Sequence, residues 1–533
     1  MDVKRGYVFA VIAIGIALFF FNLGGRDLWD PDETRYAVIA REMKETGDWI
    51  LPHLNGEIYP NKPPLLFWLI NLSTSLLGVN NEFTNRLPSA LAGFVTFLLV
   101  FFFGKRLFNM RAGLFSSLVL ATCFLFPQLS RWVMLDALFT LFFLLALFYL
   151  YLGYEEEGSR RKYYIFAGFF MGLGVLTKGP IEYLLIPIFL IFASLQRGIK
   201  KFWNRNLLWG CVLSVIVVLI WWLPAAWMGG KDYVNWILFK QVLGAFIKGG
   251  AHFHPEPFYF YFIRFPLEFL PWVVFLPTAI ILGLRKECGK RKEFLFLSVW
   301  FTFIFLFFTL SKGKKANYLF PLYPAAALMI GGIWDLGLPS KEQKKGFLPG
   351  LLLLVSLLLV LLILLLSGIP QKFYPELMDY QLLGLTMLSY LLGGTLLSLF
   401  FFVKEKKLAA FMSLMAAFAL VQLQICHFLP PRLNPQRSAK VFSAKILERM
   451  ENGDELKTYR LKNSGLLYYT KMPYMESIQN KDRFVELFNS SKRVFVVIYP
   501  EVVDRLRRET GIELVPIEKG RVGHWDYVVV SNH

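Results

Sequence analysis

Long apolar runs separated by short basic loops constrain this chain more than any other feature. A helix needs about 20 mainly apolar residues to cross a bilayer. About thirteen runs qualify, and the predicted spans are 6–23, 87–104, 112–127, 137–153, 163–178, 180–195, 207–228, 258–284, 293–310, 316–336, 347–367, 380–403 and 407–429. With 56% hydrophobic and only 18% charged residues, a water-soluble fold could not cover so much apolar surface. The chain is therefore predicted to be a polytopic α-helical membrane protein.

Basic residues mark one side of the predicted membrane. The formal net charge is +19, but the cations cover no single soluble face, which argues against a nucleic-acid partner. Seven alternate loops would face the cytoplasm under the positive-inside rule: Lys4-Arg5, Lys105 to Arg111, Arg160 to Lys162, Arg197 to Arg205, Arg285 to Lys292, Lys341 to Lys345 and Lys404 to Lys407. The opposite loops carry few cations, apart from Lys312, Lys314 and Lys315.

This segregation holds only if residues 64–78 do not cross the membrane. The stretch is apolar but short, and it begins in a proline pair. It is therefore predicted to be a helix lying in the interface. The odd number of spans then places the C-terminus on the non-cytoplasmic side.

The composition changes after Pro430-Pro431. A helix over 437–449, strands over 456–461, 494–499 and 526–530, and a charged helix over 500–510 predict a small α/β domain. The predicted domains are a transmembrane part, 1–430, with a first outer loop over 24–86 that carries interfacial helices, and an extracytoplasmic α/β part, 431–533. Since the second part holds no glycine-rich phosphate loop, a structural cap or a partner surface is its plainest role.

The first outer loop contains the richest chemistry in the chain. Asp32 and Glu33 precede a predicted helix, and stabilising its N-terminus would be a sufficient role for either. A carboxylate at the membrane surface can also act as a general base or orient an acceptor. Tyr36, Tyr59 and Lys62 follow, and a lysine can hold a phosphate as a point charge. The loop therefore predicts a mixed acidic and basic site.

Two more ionisable residues lie at the ends of predicted spans. Asp136 is costly to bury at such a position, which makes it a functional candidate; the alternative is a structural pair with Arg131. Lys178 is a candidate for the same reason, and the alternative is a lysine that reaches out to the interface.

Two later loops complete the candidate set. His254 lies two residues after another histidine and could help to bind a metal, but no third ligand is evident, and exposed loop histidines are the alternative. Arg264 follows this segment. Lys312 and Lys314 break the positive-inside pattern and need an anionic partner, either a phosphate or anionic lipid. Tyr318 is nearby, where an interfacial aromatic is the alternative to a site residue.

The first loop resembles that of the GT-C membrane glycosyltransferases, and the bacterial 4-amino-4-deoxy-L-arabinose (lipid A) transferase family in particular. The resemblance covers roughly residues 5–335. The residues that carry it are Asp32 to Tyr36, Arg41 to Met43, Gly47 to Trp49, Pro52-His53, Tyr59, Lys62 to Pro64, Leu176 to Gly179 and Tyr318 to Pro324.

The resemblance implies thirteen spans, an outward-facing site and a polyprenyl-phosphate sugar donor used with inversion. It also implies an inner-membrane location, with the active site and the C-terminal domain extracytoplasmic. Asp32 corresponds to the principal acidic residue and Asp136 to a second one. The implied ligands of the carrier phosphate or its surroundings are Tyr59, Lys62, Arg264 and Tyr318.

His254 matches a histidine linked to metal binding in relatives, but relatives often have glutamate where this chain has Asn61. The implied mechanism is therefore metal-independent or assisted by a divalent metal, and no cofactor is assigned.

The implied function is sugar transfer from a polyprenyl-phosphate carrier to lipid A or a related outer acceptor, in contact with membrane lipids. A polyprenyl-phosphate-dependent protein glycosyltransferase is the nearest alternative, because the loop also resembles the wider protein-mannosyltransferase-like superfamily. From other classes, a lipid-linked sugar flippase and a non-catalytic scaffold remain open. Charges at one surface favour the enzyme, since transporters place theirs near the bilayer midplane.

Overall fold

The structure is a computed structural model that describes residues 3–156, 160–237, 255–336, 340–369, 372 and 375–532. Its helices are α1 (Val3–Phe20), α2 (Asp32–Thr46), α3 (Leu65–Leu77), α4 (Glu82–Leu107), α5 (Met110–Thr122), α6 (Leu125–Ser130), α7 (Leu135–Glu155), α8 (Arg160–Lys178), α9 (Leu185–Leu195), α10 (Ile199–Phe202), α11 (Arg205–Asn235), α12 (Phe260–Glu268), α13 (Leu276–Gly283), α14 (Arg291–Leu310), α15 (Tyr323–Asp335), α16 (Ser340–Leu366), α17 (Gln381–Val403), α18 (Lys407–Arg437), α19 (Lys440–Arg449), α20 (Ser464–Tyr469), α21 (Lys481–Phe488) and α22 (Pro500–Thr510). Short 3-10 helices lie at Pro180–Leu184, Trp272–Phe275, Ala316–Leu322 and Pro375–Tyr380.

The helices confirm a multi-pass membrane protein. Among the described residues, eight helices are long and apolar enough to cross a membrane, or nine if a bent pair counts as one span. Three further predicted spans contain shorter apolar helices, Val8–Phe20, Met110–Thr122 and Pro180–Leu195, and a fourth forms α8. Residues 64–78 contain the 13-residue helix α3. Helix α5, which is a predicted span, has the same length, so the interfacial placement of α3 stays a prediction.

Two predicted spans differ from the structure. The span predicted as one run over 258–284 is broken, and its halves are bent by 107°. Pro271 lies at the break, and a proline disfavours helical geometry in the residue before it. Helix α18 instead continues past residue 429 to Arg437 through three prolines. Each of these prolines lacks a backbone N–H and crowds the preceding turn, which is why the sequence predicts an earlier end.

The described chain forms two compact units. The first contains residues 1–21, 61–65 and 89–426, and it holds most of the apolar helices. Helix α8 packs between α7 and α11, and α5 packs against α15. The approach of α8 to α11 requires glycine, because a Cβ on Gly168 would lie 1.9 Å from the carbonyl oxygen of Gly210.

The second unit contains residues 22–60, 66–88 and 427–533. The first outer loop therefore folds with the C-terminal residues. The predicted division at 430/431 separates segments by their order along the chain, and it stays a prediction. Strands β1 (His53–Leu54) and β2 (Glu57–Ile58) form a small antiparallel hairpin in the loop.

The C-terminal residues form a five-stranded mixed sheet. Its strands are β3 (Glu455–Tyr459), β4 (Ser477–Ile478), β5 (Val494–Ile498), β6 (Pro516–Val522) and β7 (Trp525–Ser531), in the order β4-β3-β5-β7-β6. Strand β3 runs parallel to β4 and β5, and β7 runs antiparallel to β5 and β6. The predicted strands and helices of this part form near their predicted bounds, but β4, β6, α20 and α21 were not predicted.

Alternation along β5 builds two apolar cores in this unit. Phe495 and Val497 face a core that includes Phe442 of α19 and Leu466 of α20. The neighbouring residues of β5 face the opposite side and pack with α21 and α22. Val38 of α2, which is fully buried, belongs to the first core. The outer loop thus supplies part of the C-terminal core.

Replacing Val38 with aspartate should unfold the second unit at a lower temperature. An unpaired carboxylate would be buried against Leu466 and Phe495, at a cost of roughly 3 kcal/mol or more. Protease cleavage of the C-terminal residues during a thermal ramp of detergent-solubilised protein would measure the shift.

Val441→Asp is the matched control for Val38→Asp. Val441 lies on α19 of the same unit and is 52% exposed. Its substitution should leave the cleavage temperature nearly unchanged. Equal shifts in the two variants would contradict the shared core.

Candidate active site

The second residue of helix α2 carries a carboxylate that is completely enclosed. Glu33 has no exposed side-chain surface and lies 2.8 Å from Arg26 Nη2 and 2.8 Å from Arg86 Nε. The backbone N–H of Trp29 donates to it at 3.1 Å. Burial opposes ionisation, but attraction by Arg26 and Arg86 outweighs it and holds the pKa of Glu33 below its ordinary value. Glu33, predicted to be catalytic, is placed as an internal counter-ion.

Arg86 extends this ion pair to the chain before α2. Its guanidinium donates to the carbonyl oxygens of Leu23 at 3.1 Å, of Asp27 at 2.6 Å, and of Arg26. The start of α4 is therefore tied through Glu33 and these carbonyls to the loop that leads into α2. This contact fixes the backbone on which Asp32 lies.

Asp32, Tyr36 and Tyr59 meet around Arg35. Asp32 forms an ion pair with Arg35 and keeps 27% of its side chain exposed, so solvent or a ligand can reach it. The guanidinium of Arg35 lies 5.4 Å from the centre of the Tyr36 ring. Burial disfavours its charge, but Tyr59, Tyr36 and Asp32 together raise the pKa of Arg35. These three predicted residues are thus neighbours, linked by an arginine that was not assigned a role.

Asp30, two residues before α2, is a third acidic residue at this helix start. Its carboxylate accepts from Thr34 Oγ1 at 2.6 Å and from Ser464 Oγ at 3.4 Å, and it lies against the backbone of Gly465. A Cβ at Gly465 would fall 1.9 Å from Asp30 Oδ2, so only glycine fits there. Burial, opposed by these hydrogen bonds and by Arg35, raises the pKa of Asp30 to about 6.

In the first unit, Asp136, Lys178 and Tyr318 come together from three elements. Lys178 Nζ donates to Asp136 Oδ1 at 2.5 Å. The same ammonium lies 5.2 Å from the centre of the Tyr318 ring. The amide of Asn317, which was not predicted, donates to Asp136 Oδ2 at 2.8 Å. The ionic partner of Asp136 is therefore Lys178, and Arg131 donates to the carbonyl oxygens of Leu18 and Phe21.

Arg264 lies on α12 with a buried carboxylate one turn later. Its Nε is 2.9 Å from Glu268 Oε1, and the arginine side chain is 49% exposed while that of Glu268 is 5% exposed. Tyr323 also donates to Glu268, at 3.4 Å. Arg264 is thus anchored at one side and open at the other, as an anion ligand must be.

Lys312 and Lys314, the two predicted site residues of the 312–315 segment, differ in burial. Lys314 is buried and donates to the carbonyl oxygens of Glu256 at 2.9 Å and Ser311 at 2.5 Å. Burial, opposed by Glu256, lowers its pKa. Lys314 therefore holds the loop together, whereas Lys312 is exposed.

Lys62 is half-buried at the turn before α3. Its neighbour Asn61, which stands where relatives often have glutamate, accepts from Trp236 Nε1 at 2.9 Å. His254 lies outside the described residues. No group of three His, Cys, Asp or Glu residues suited to a metal occurs in the part of the chain that the structure describes.

The predicted site residues divide between the two units. Those in the second are Asp32, Glu33, Tyr36 and Tyr59; those in the first are Lys62, Asp136, Lys178, Arg264, Lys312, Lys314 and Tyr318. Within each unit, several of them form a connected cluster.

Solved structures identify the fold as that of the GT-C membrane glycosyltransferases, as predicted. The crystal structure of ArnT from Cupriavidus metallidurans bound to undecaprenyl phosphate matches with a TM-score of 0.81 and 20% identity, over 99% of this chain and 98% of that one. The oligosaccharyltransferase AglB from Archaeoglobus fulgidus matches with a TM-score of 0.56 and 13% identity, over 94% and 70%.

Sequence relatives confirm the predicted resemblance to aminoarabinose transferases. Undecaprenyl phosphate-alpha-4-amino-4-deoxy-L-arabinose arabinosyl transferase from Edwardsiella ictaluri is 33% identical over 61% of this chain and 58% of its own length. The protein of the same name from Aeromonas hydrophila is 34% identical over 61% and 60%. The match thus spans about three fifths of these relatives. Residues 61–222 match the family described as dolichyl-phosphate-mannose-protein mannosyltransferase.

Asp30 should make the second unit less stable as the pH rises through 6. Its pKa is 3.8 ordinarily and about 6 in the fold, so between these values the folded state binds more protons than the unfolded state. Stability therefore falls across that window. Asp30→Asn should flatten the fall, measured as the protease-cleavage temperature of the unit at several pH values.

Glu33 changes the stability of the unit with pH in the opposite direction, and over a lower pH range. Its lowered pKa contributes stability above 4.5 that is lost as the pH falls. Measurements between pH 4.5 and 7 therefore isolate Asp30. An unchanged slope in Asp30→Asn would show that this carboxyl is not the titrating group.

Proposed function

We propose that this chain is an inverting glycosyltransferase that moves a sugar from a polyprenyl-phosphate carrier to lipid A or a related outer acceptor. The observation that carries the proposal is the pair of polar clusters in a GT-C fold: Asp32 with its two tyrosines, and Asp136 with Lys178 and Tyr318. Support for the donor comes from the similarity to ArnT, whose crystal structure contains undecaprenyl phosphate. Lipid A as acceptor rests on the family that the first loop resembles.

The proposed reaction forms one bond and breaks one. An acceptor oxygen attacks the anomeric carbon of the sugar, and the bond from that carbon to the carrier phosphate breaks. The electron pair leaves with the phosphate, so polyprenyl phosphate is the second product. Cations at the leaving group stabilise this developing charge. Lys62 and Arg264 fit that role, with Lys312 as a further cation; Lys314 is directed at carbonyl groups and supports the loop.

Asp32 and Asp136 would act on the acceptor and the sugar. If the acceptor is a hydroxyl, Asp32 takes its proton. If the acceptor is already a phosphate anion, no base is required and Asp32 orients the reacting groups through Arg35. In this proposal the site and the C-terminal residues lie on the extracytoplasmic side of the inner membrane, where no nucleotide is required.

A protein acceptor is the second candidate. The match of residues 61–222 to protein mannosyltransferases favours it. The donor chemistry is the same in both, so the acceptor alone separates them.

Asp32→Asn should reduce sugar transfer by about 100-fold or more, as expected for loss of a general base or of a transition-state contact. The assay uses purified protein in detergent with polyprenyl-phosphate aminoarabinose, and lipid A and a serine-containing peptide as alternative acceptors. Mass spectrometry identifies the product. Asp526→Asn, at an exposed position of the second unit, is the control. Near-normal turnover in Asp32→Asn would remove this carboxylate from the mechanism.

Lys62→Ala should raise the apparent KM for the donor roughly tenfold, since one charged hydrogen bond contributes about 1.5 kcal/mol or more. Lys105→Ala, exposed on a predicted cytoplasmic loop, should leave KM unchanged. An unaltered donor KM in Lys62→Ala would contradict its role at the phosphate. Movement of the donor lipid from one leaflet of a vesicle membrane to the other, without any sugar release, would instead identify a flippase.

A further inference from the structure

Both oxygens of Asp136 are held by donors from different parts of the first unit. Lys178, at the end of α8, binds Oδ1 at 2.5 Å, and Asn317 binds Oδ2 at 2.8 Å. Only 4% of the Asp136 side chain is exposed. A carboxylate this enclosed is stable as an anion only when its oxygens are hydrogen-bonded.

The two donors constrain Asp136 differently. A lysine is a flexible point charge, and attraction to it falls off slowly with distance. An amide N–H is directional and weakens steeply when its angle changes. The terminal torsion of an aspartate is broad, so one ionic partner leaves the carboxylate plane poorly defined. Asn317 therefore supplies the orientation that Lys178 cannot.

The turn that carries Asn317 also holds Lys178. Residue Tyr318 follows Asn317 in the 3-10 helix Ala316–Leu322, and its ring lies 5.2 Å from Lys178 Nζ. The ring of Phe139, on the same helix as Asp136, also has its centre 5.2 Å from Lys178 Nζ. The 3-10 helix thus contacts both the carboxylate of Asp136 and the ammonium group of Lys178.

We propose that Asn317 is a positioning residue that orients Asp136 for sugar transfer. The inference rests on the proposed function, through the role of Asp136 there. A neutral amide keeps Asp136 hydrogen-bonded when Lys178 is drawn toward an anionic substrate, so the carboxylate is never left without a donor. A second cation at this position would compete with the substrate for Asp136.

Two substitutions of Asn317 test the proposal in the full-length protein. Asn317→Leu keeps the branching at Cγ and removes the donor, and kcat should fall about tenfold. Asn317→Asp replaces the donor with a like charge, and kcat should fall about 100-fold. In both, KM for polyprenyl-phosphate aminoarabinose should change less than about threefold, because the carrier's phosphate ligands are intact.

The first unit contains a matched control. Asn109 Nδ2 donates to Asp335 Oδ2 at 2.7 Å, and Arg111 Nε lies 3.2 Å from Asp335 Oδ1. This is the same combination of amide, carboxylate and cation, built from residues with no proposed part in transfer. Asn109→Asp keeps the acceptor that caps α5 and should leave kcat within about twofold.

The outcomes separate the inference from the proposed function. Full transfer by Asp136→Asn would remove the role of Asp136 and with it the proposal. An inactive Asp136→Asn with wild-type kcat in Asn317→Leu would overturn the positioning role alone. Equal falls in kcat in Asn317→Asp and Asn109→Asp would also overturn it. So would a rise in KM without a fall in kcat. If Asn317→Asp fails to fold, Asn317→Leu decides the question by itself.

Discussion

The second unit depends on one enclosed charge. Glu33 has no exposed surface, and an isolated carboxylate there would cost several kcal/mol. Arg26 and Arg86 make its ionised form stable, and Arg86 also binds three carbonyl groups of the preceding loop. Loss of either arginine would leave a buried charge without its full set of partners. The position of Asp32 at the surface of the same helix turn follows from this buried ion cluster.

The same principle recurs at each candidate residue of the first unit. A polar group at the end of an apolar helix is held by a partner from another element: Asp136 by Lys178 and Asn317, and Arg264 by Glu268. In each case one side of the cluster is closed by protein. Arg264 is half-exposed and can be reached by a ligand, whereas Asp136 and Lys178 keep only 4% and 11% of their side chains exposed. The fold thus separates residues that hold charges in place from residues that can meet a substrate.

Features that lie within one stretch of chain could be predicted from the sequence. The spans, the apolar helix α3 and the grouping of Asp32, Tyr36 and Tyr59 follow from hydropathy or from proximity in a single loop. Contacts between distant segments carry no such signal: Asp30 meets Gly465 and Val38 enters the C-terminal core across more than 400 residues. Asn317 was missed because an amide beside an aromatic residue is common, whereas Glu268 was detectable, four residues after Arg264 on a helix.

The proposed function depends on cations of the first unit that bind the phosphate of a lipid carrier. A cryo-EM structure of the protein with bound polyprenyl phosphate tests this most directly. We expect phosphate density within hydrogen-bonding distance of Lys62 and Arg264. Phosphate bound away from both cations would contradict this role.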